Sequence, residues 1–331
     1  MANAAEITLV LERPGGRRRW TGWFRGLLRF ARRKPLGAFS AIIIASMLLA
    51  AALADTQVLT GFAKSNPLLA PDHFDKQELS ATLEDPSWEH PFGTDQLGRD
   101  MLSRVIYGTR TSVLVGLGSV VLAAMIATTV GVVSGYFGRW FDVVVQRVVD
   151  VWISFPALVL LLTFVEIAKG HIGLDPKRQT AALTVALGVL LAGGASRVIR
   201  SATLAIKNNA YVDAAVCLGA SHPRIILLHI LPNVAPVIIV LTTLQLGTAI
   251  LAEATVSFLG FGVPPPLPSW GQMLSRDGLL FFRVDPWLAF FPGMAIALAV
   301  YSFNMLGDSL RDVLDPRLRG SVAVSSGRTV G

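Results

Sequence analysis

The stretch Asp213–Asn233, DAAVCLGASHPRIILLHILPN, is a polar-edged island between two long apolar segments. It opens with Asp213-Ala214-Ala215, places Gly219-Ala220 next, and ends in Leu231-Pro232-Asn233. The small side chains of Ala214 and Ala215 allow another surface to approach closely, and Gly219 allows a sharp change of direction between two short helices. Pro223 suits the first turn of the second of these helices, and Pro232 marks the entry to the next apolar segment. The stretch therefore reads as a docking element on a membrane protein. His222 and His229 within it read as hydrogen-bonded or solvated groups rather than proton sensors.

The membrane assignment rests on composition: 53% of 331 residues are apolar and only 15% are charged, far from a soluble domain's mixture. A hydrocarbon core about 30 Å thick needs roughly 20 mostly apolar residues per helix. Charge-free gaps of that size run from Pro35 to Ala54 and from Thr111 to Gly138. Further spans are expected over about Val148–Ala168, Gln179–Ser196, Ile230–Ala252 and Pro286–Gly307, which predicts an all-α polytopic protein with six transmembrane helices. Ala52-Leu53-Ala54 resembles a signal cleavage site, but the charged region before it and the apolar run are both too long, so the first helix is expected to be retained.

Basic residues are retained on the cytoplasmic side of short loops. Nine of the 29 Lys and Arg precede the first span, which sets this end inside. Six spans return the C-terminus to the same side, where Arg311, Arg317, Arg319 and Arg328 agree, and the Asp213 loop is inside as well. The segment from Asp55 to Arg110 then faces outward with nine acidic and five basic residues. Topology thus accounts for the net charge of +7, and nucleic acid is not an expected partner. From Trp20 to Lys34, basic residues alternate with Trp20, Trp23, Phe24, Leu27, Leu28 and Phe30, as in a helix resting on anionic headgroups. The chain divides into a cytoplasmic basic segment (1–34), a first transmembrane helix (35–55), an outer loop with an interfacial helix (56–110), a core of the remaining apolar spans (111–308) and a cytoplasmic tail (309–331). Its inner docking loop covers 201–232.

The outer segment begins with a polar, proline-punctuated stretch, Thr56–Pro91. Next comes HPFGTDQLGRDMLSRVIYGTR, where Leu97, Met101, Leu102, Val105 and Ile106 recur at helical spacing, which predicts an interfacial helix. Gly93 and Gly98 allow tight turns beside Thr94. Asp95 is expected to cap the helix start, and Asp100 to pair with Arg104 one turn later, with Arg99 pointing elsewhere. The lone Cys217 excludes an internal disulfide, and no Cys or His cluster has metal-ligand spacing.

Five segments in order carry a family resemblance: GTDQLGRDMLSRVIYGTRTS, GYFGRWFDVVVQRVVDVWISFP, the Asp213 loop, FLGFGVPPPLPSWGQML and NMLGDSLRDVLDPRL. Over about Arg25–Arg319 the chain resembles the C-type permease subunit of dipeptide and oligopeptide ABC importers. The resemblance implies a type I importer half-channel, in which the last five helices form the shared core and the first is an addition. It also implies an ATPase-coupling loop at Asp213, Ala214, Ala215, Gly219, Ala220, Pro223, Leu231 and Pro232. The family motif begins with Glu, so Asp213 keeps the charge on a shorter stem, and His229 stands where Ile is frequent.

No G-x-x-x-x-G-K-[ST] and no Gly-Lys pair occur, so ATP hydrolysis is not expected on this chain and no cofactor is expected in it. The implied partners are a second homologous permease, two ATP-binding subunits carrying ATP and Mg, an extracytoplasmic solute-binding protein and the bilayer of a bacterial or archaeal inner membrane. Peptides are the implied solute, with nickel, glutathione or sugar as alternatives on the same scaffold. An ion-coupled secondary transporter is the competing class, and it needs ionisable groups near the bilayer middle. Asp150, Glu166, Glu253 and Asp308 fall near span ends instead. Glu253 is expected to line the pathway or, by preference, to pair with another helix.

Overall fold

The computed structural model describes residues 31–32, 34–54, 70–170 and 175–314. Most of the basic segment 1–34, the first part of the outer loop and the tail beyond 314 lie outside these. Among the described residues there is no β-sheet, and the long helices are α1 (Pro35–Leu53), α2 (Met101–Phe137), α5 (Pro176–Lys207), α8 (Leu231–Phe258) and α10 (Trp287–Leu314). All five are long and apolar enough to cross a membrane. A bent pair, α3 (Arg139–Ser154) and α4 (Ala157–Gly170), meets the same test when taken together.

The packing shows that the bent pair makes one crossing. Along α2 and α5, Gly118 faces Thr184, Gly131 faces Ser196, and Gly135 faces Thr203, so the two helices run parallel. The chain between their ends must therefore return across the bundle. It does so with an 83° bend, where Phe155 is extended ahead of Pro156, a residue that disfavours helix both at itself and at the position before it. A single straight third span over Val148–Ala168 is thus corrected to two helices. The count of six crossings stands.

The α2–α5 contact is close because small residues line it, as in helix pairs that lipid alone cannot drive together. A Cβ at Gly131 would lie 2.6 Å from the Ser196 carbonyl oxygen, and Ser119 Oγ donates to the Thr184 carbonyl at 3.0 Å. Ala123, Ala127 and Val132 of α2 share a buried cluster with Ala192, Ala195 and Ile199 of α5 and with Val234 of α8. A second cluster joins α1, α2, α8 and α10 through Ile44, Val113, Ile250 and Ala299.

These contacts define two ends. At one, Lys34 Nζ donates to Asp312 Oδ2 at 2.5 Å, and Lys207 Nζ donates to the Tyr136 carbonyl at 2.6 Å. This end also carries the Asp213 loop. At the other lie residues 70–100, the loop after α8 and the short helix α9 (Trp270–Leu280).

Several element limits differ from expectation. The interfacial helix is not separate from the second span, because nothing breaks the helix between Ile106 and Thr111: α2 runs unbroken for 37 residues, and Gly108 seats the Trp270 ring against it. The fourth, fifth and sixth spans extend beyond the charge-free gaps, because a helix continues through polar residues as long as its backbone hydrogen bonds are available. In particular, the second short helix of the docking loop, α7 (His222–Ile225), passes through a π-helical turn at Ile226–Ile230 directly into α8.

Candidate functional site

The docking loop is smaller than 201–232. Residues up to Lys207 belong to α5, and those from His222 onward lead into α8, which leaves 208–221 as the true connection. Its one independent helix is α6 (Ala210–Cys217). Asn209 is extended ahead of it, as N-cap residues are, and its Nδ2 donates back to the Ile206 carbonyl at 3.0 Å. The helix closes when Ala220 N donates to Ala215 O at 3.1 Å and Gly219 N donates to Val216 O at 2.9 Å. This Schellman pairing needs a left-handed residue at Gly219, whose φ is +78°. A Cβ added there would meet nothing within 4 Å, so backbone conformation alone accounts for the glycine.

One face of α6 packs inward through Val212 and Ala215, with Val212 in the same cluster as Ile225, Ile230 and Val234. The other face presents Asp213, Ala214 and Val216, followed by Leu218, which is 88% exposed. Pro223 and Pro232 sit in the first turns of α7 and α8, and Leu231 packs against the buried cluster. Sequence reasoning passed over Leu218 and Tyr211, exposed apolar groups beside the small ones; nothing in their residue type separates them from core side chains.

A contact at the end of this loop ties it to the rest of the bundle. The Tyr136 hydroxyl and His222 Nδ1 are 2.7 Å apart, and the Tyr136 and Phe137 rings meet the imidazole edge-on at 5.6 and 5.8 Å. Farther along, Arg200 Nε donates to Asp142 Oδ1 at 2.5 Å with a second contact from the same guanidinium to Oδ2, and Arg197 donates to Asp150. These pairs fasten α3 to α5.

At the opposite end the predicted motif residues do converge, but with exchanged roles. Asp100, not Asp95, caps α2: its carboxylate accepts from Ser103 N at 2.7 Å and stands 3.1 Å from His90 Nδ1. Asp95, not Asp100, pairs with Arg104, at 2.7 Å, and with Arg99 Nε at 2.6 Å, while also accepting from Leu97 N and Arg99 N. The helix begins later than expected, at Met101, so the cap falls on the residue just before it. Gly93 and Gly98 both have positive φ, and a Cβ at Gly98 would lie 1.8 Å from the Glu78 carbonyl oxygen. Thr94 Oγ1 donates to Ala81 O at 2.5 Å and accepts from Glu84 N at 2.9 Å, which stitches the turn to the preceding loop. Nearby, Asp285 is 3% exposed; burial pushes its carboxyl up from the usual range, opposed by the Trp287 N–H that donates to it at 3.1 Å.

Glu253 of α8 is fully buried. Among the described residues no Lys, Arg or His forms an ion pair with it. Ser257 Oγ donates to its Oε1 at 2.6 Å, and the Ser112 and Ser269 hydroxyls face the same carboxyl, whose Oε2 has no hydrogen-bond partner in range. Each serine oxygen also accepts a backbone N–H, from Val263, Trp270 and Gln272 respectively, at 3.3 Å. Glu253 thus joins α2, α8 and the loop before α9 through hydroxyls. Among the described residues, no group of three His, Cys, Asp or Glu is placed to hold a metal.

Comparison with known proteins now adds identity to geometry. Residues 127–320 match the model of the family described as binding-protein-dependent transport system inner membrane component. The chain is 38% identical over 296 residues to a dipeptide transport system permease protein of Alkalihalophilus pseudofirmus, covering 89% of this chain and 90% of that one. It is 38% identical over 255 residues to a glutathione transport system permease protein of Pectobacterium atrosepticum, covering 76% and 80%. Its fold is similar to a chain of the MetNI methionine ABC transporter in an inward-facing conformation, with TM-score 0.53, 19% identity, and coverage of 65% of this chain and 98% of that one.

Proposed function

This chain belongs to the family of binding-protein-dependent transport system inner membrane components, and on that premise we propose that it forms half of the translocation pathway of an ATP-driven importer of di- or oligopeptides. Glutathione is a second solute on the same reading, favoured by the glutathione permease relative, and it is itself a tripeptide. The full assembly holds a second permease, a pair of ATP-binding subunits and an outer binding protein, in a bacterial or archaeal inner membrane with both chain ends inside.

The observation that carries the proposal is α6: a short helix, small-faced at Ala214, flanked by exposed Val216 and Leu218, on the end where α1 begins and α10 finishes. In this role it seats in a groove of the ATPase. Closure of two ATPase subunits on ATP pushes α6, and the paired permeases pass from inward-open to outward-open. Hydrolysis resets them. The ATPase shifts the equilibrium only through contacts that differ between the two states.

Reconstitution of the chain with its neighbouring permease, ATPase and binding-protein gene products tests this. ATP-dependent peptide uptake is expected, lost when Ala214 is replaced by Trp while the subunits still assemble. Uptake driven by an ion gradient without any ATPase overturns it. Cys217 is the sole cysteine and exposed, so membrane-impermeant maleimide applied from either side of vesicles tests the placement of the loop. Labelling from the outside alone refutes it.

A further inference from the structure

A cavity of about 680 Å3 opens where the Gly93-end turns of α2 and α5 diverge. From α2 it is lined by Arg110 and Thr111, and from α5 by Lys177, Thr180 and Thr184. Leu267 and Pro268 of the loop before α9 supply an apolar side. Neither Asp nor Glu is among the lining residues, and neither Arg110 nor Lys177 has an ion-pair partner among the described residues. The contrast with the rest of the molecule is informative. Arg99, Arg104, Arg197 and Arg200 each hold a carboxylate of this chain.

Two cations facing one concave space without a counter-charge create a positive potential there, focused by the low-dielectric wall. The volume lies within the roughly 300–1,000 Å3 of small-molecule sites. The occupant that matches both features is a short solute ending in a carboxylate. A guanidinium can take a carboxylate in a two-pronged hydrogen bond, the Thr111 and Thr184 hydroxyl oxygens can accept from amides, and Leu267 and Pro268 offer apolar surface to side chains.

We propose that this cavity is a solute site of the permease itself, in which Arg110 and Lys177 receive the C-terminal carboxylate of a peptide. The inference rests on the importer reading and narrows it: the permease selects for a free carboxyl end in addition to any selection by a binding protein. Arg110 is the primary contact because its stem leaves the third turn of a continuous helix, which fixes its origin, whereas Lys177 sits in the first turn of α5.

The test has two arms. In vesicles holding the complete importer, uptake of a peptide with a free C-terminus is compared with uptake of the same peptide amidated, for wild type and for Arg110→Gln/Lys177→Gln. Dividing variant by wild type for each peptide cancels the preference of the binding protein, since that component is unchanged. Free-acid uptake at limiting peptide is expected to fall about tenfold, the loss of a charge-assisted contact, while amide uptake stays within about twofold. An equal fall for both peptides, or no fall for either, overturns the proposal; the equal fall assigns the cations to a protein or lipid contact instead.

The second arm does not require transport. In the purified complex with Cys217→Ser and Thr180→Cys, the rate of maleimide labelling at residue 180 is measured against increasing peptide. Free acid is expected to slow it, amide not, and Arg110→Gln to remove the slowing. Absence of protection by free acid overturns the site. If wild type shows no ATP-dependent uptake at all, the importer reading fails, and this labelling arm still decides the cavity.

Discussion

Replacing Asp95 by Ala is the sharpest probe of the outer segment. Asp95 is 1% exposed, and its two oxygens accept from two backbone N–H groups and two guanidinium groups. Truncation removes the carboxylate that holds Arg104, itself 4% exposed, and breaking a buried pair from one side costs roughly 3–5 kcal/mol. Each 1.4 kcal/mol is a factor of ten, so local opening is expected to rise by about a hundredfold to several thousandfold. Hydrogen exchange at the Leu97 and Arg99 amides reads this directly, because both donate to the lost carboxylate and both need only local opening to exchange. The Ala123 and Ala127 amides, deep in the bundle, serve as the internal reference and are expected to be unchanged. Asp95→Asn separates charge from geometry: its carbonyl oxygen keeps the two backbone bonds, so acceleration is expected to be at most about tenfold. If Asp95→Ala speeds exchange at Leu97 and Arg99 by less than about threefold, the carboxylate does not organise this segment and the reasoning fails.

Three other substitutions follow from single contacts. Gly131→Val drives a side chain into the Ser196 carbonyl region and is expected to cost about 1–3 kcal/mol, seen as a lower melting temperature of the purified protein; an unchanged melt refutes close α2–α5 packing there. Asp285→Asn keeps an acceptor for the Trp287 N–H. Because the folded-state carboxyl sits above its ordinary value, its favourable contribution is present at low pH, below the unfolded value, and is lost as pH rises through the folded one. The variant is therefore expected to melt higher than wild type near neutral pH and alike at about pH 3, below the ordinary aspartate value of about 3.9; the reverse order refutes it. Glu253→Leu leaves the Ser112, Ser257 and Ser269 hydroxyls without their shared acceptor, and faster proteolysis of the 259–269 loop is expected; unchanged cleavage shows that the hub does not hold the loop.

Charge-free gaps and charge bias revealed five of the six crossings because both reflect the cost of charge in hydrocarbon, a property each residue carries alone. The third crossing was misread for a physical reason. Pro156 sits inside an apolar run, and hydropathy counts it as one more uncharged residue, whereas the backbone treats it as a break. The exchange between Asp95 and Asp100 has a similar origin. Both acids precede the same apolar period, and only the three-dimensional turn through Gly93 and Gly98 decides which one meets the helix N–H groups and which one meets Arg104. Arg110 and Lys177 lie 67 positions apart in the chain, and only the parallel α2–α5 pairing brings them to one cavity.

That pairing also bears on how motion at the Asp213 loop would reach the cavity. Helix α2 has 37 residues and no proline, so at 1.5 Å per residue it is a rod of about 55 Å. Toward its far end lies Arg110, and its near end carries Tyr136, which meets His222, the residue just after the docking loop, at 2.7 Å. By contrast, the route through α8 contains a π-helical turn at Ile226–Ile230 and Pro236, both features that let a helix bend. If α6 is driven by an ATPase, displacement should therefore travel along α2 and be absorbed along α8. Tyr136→Phe removes the hydroxyl and keeps the ring contacts, at a cost of about 0.5–1.5 kcal/mol, or two- to tenfold. In the reconstituted importer, uptake per ATP hydrolysed is expected to fall by that factor while hydrolysis itself continues. His222→Ala should lower the same ratio, and the double variant should be no worse than the more severe single one, since both remove one shared bond. Uptake and hydrolysis falling in parallel, or the two losses adding in full, would show that the contact stabilises the fold without carrying the stroke.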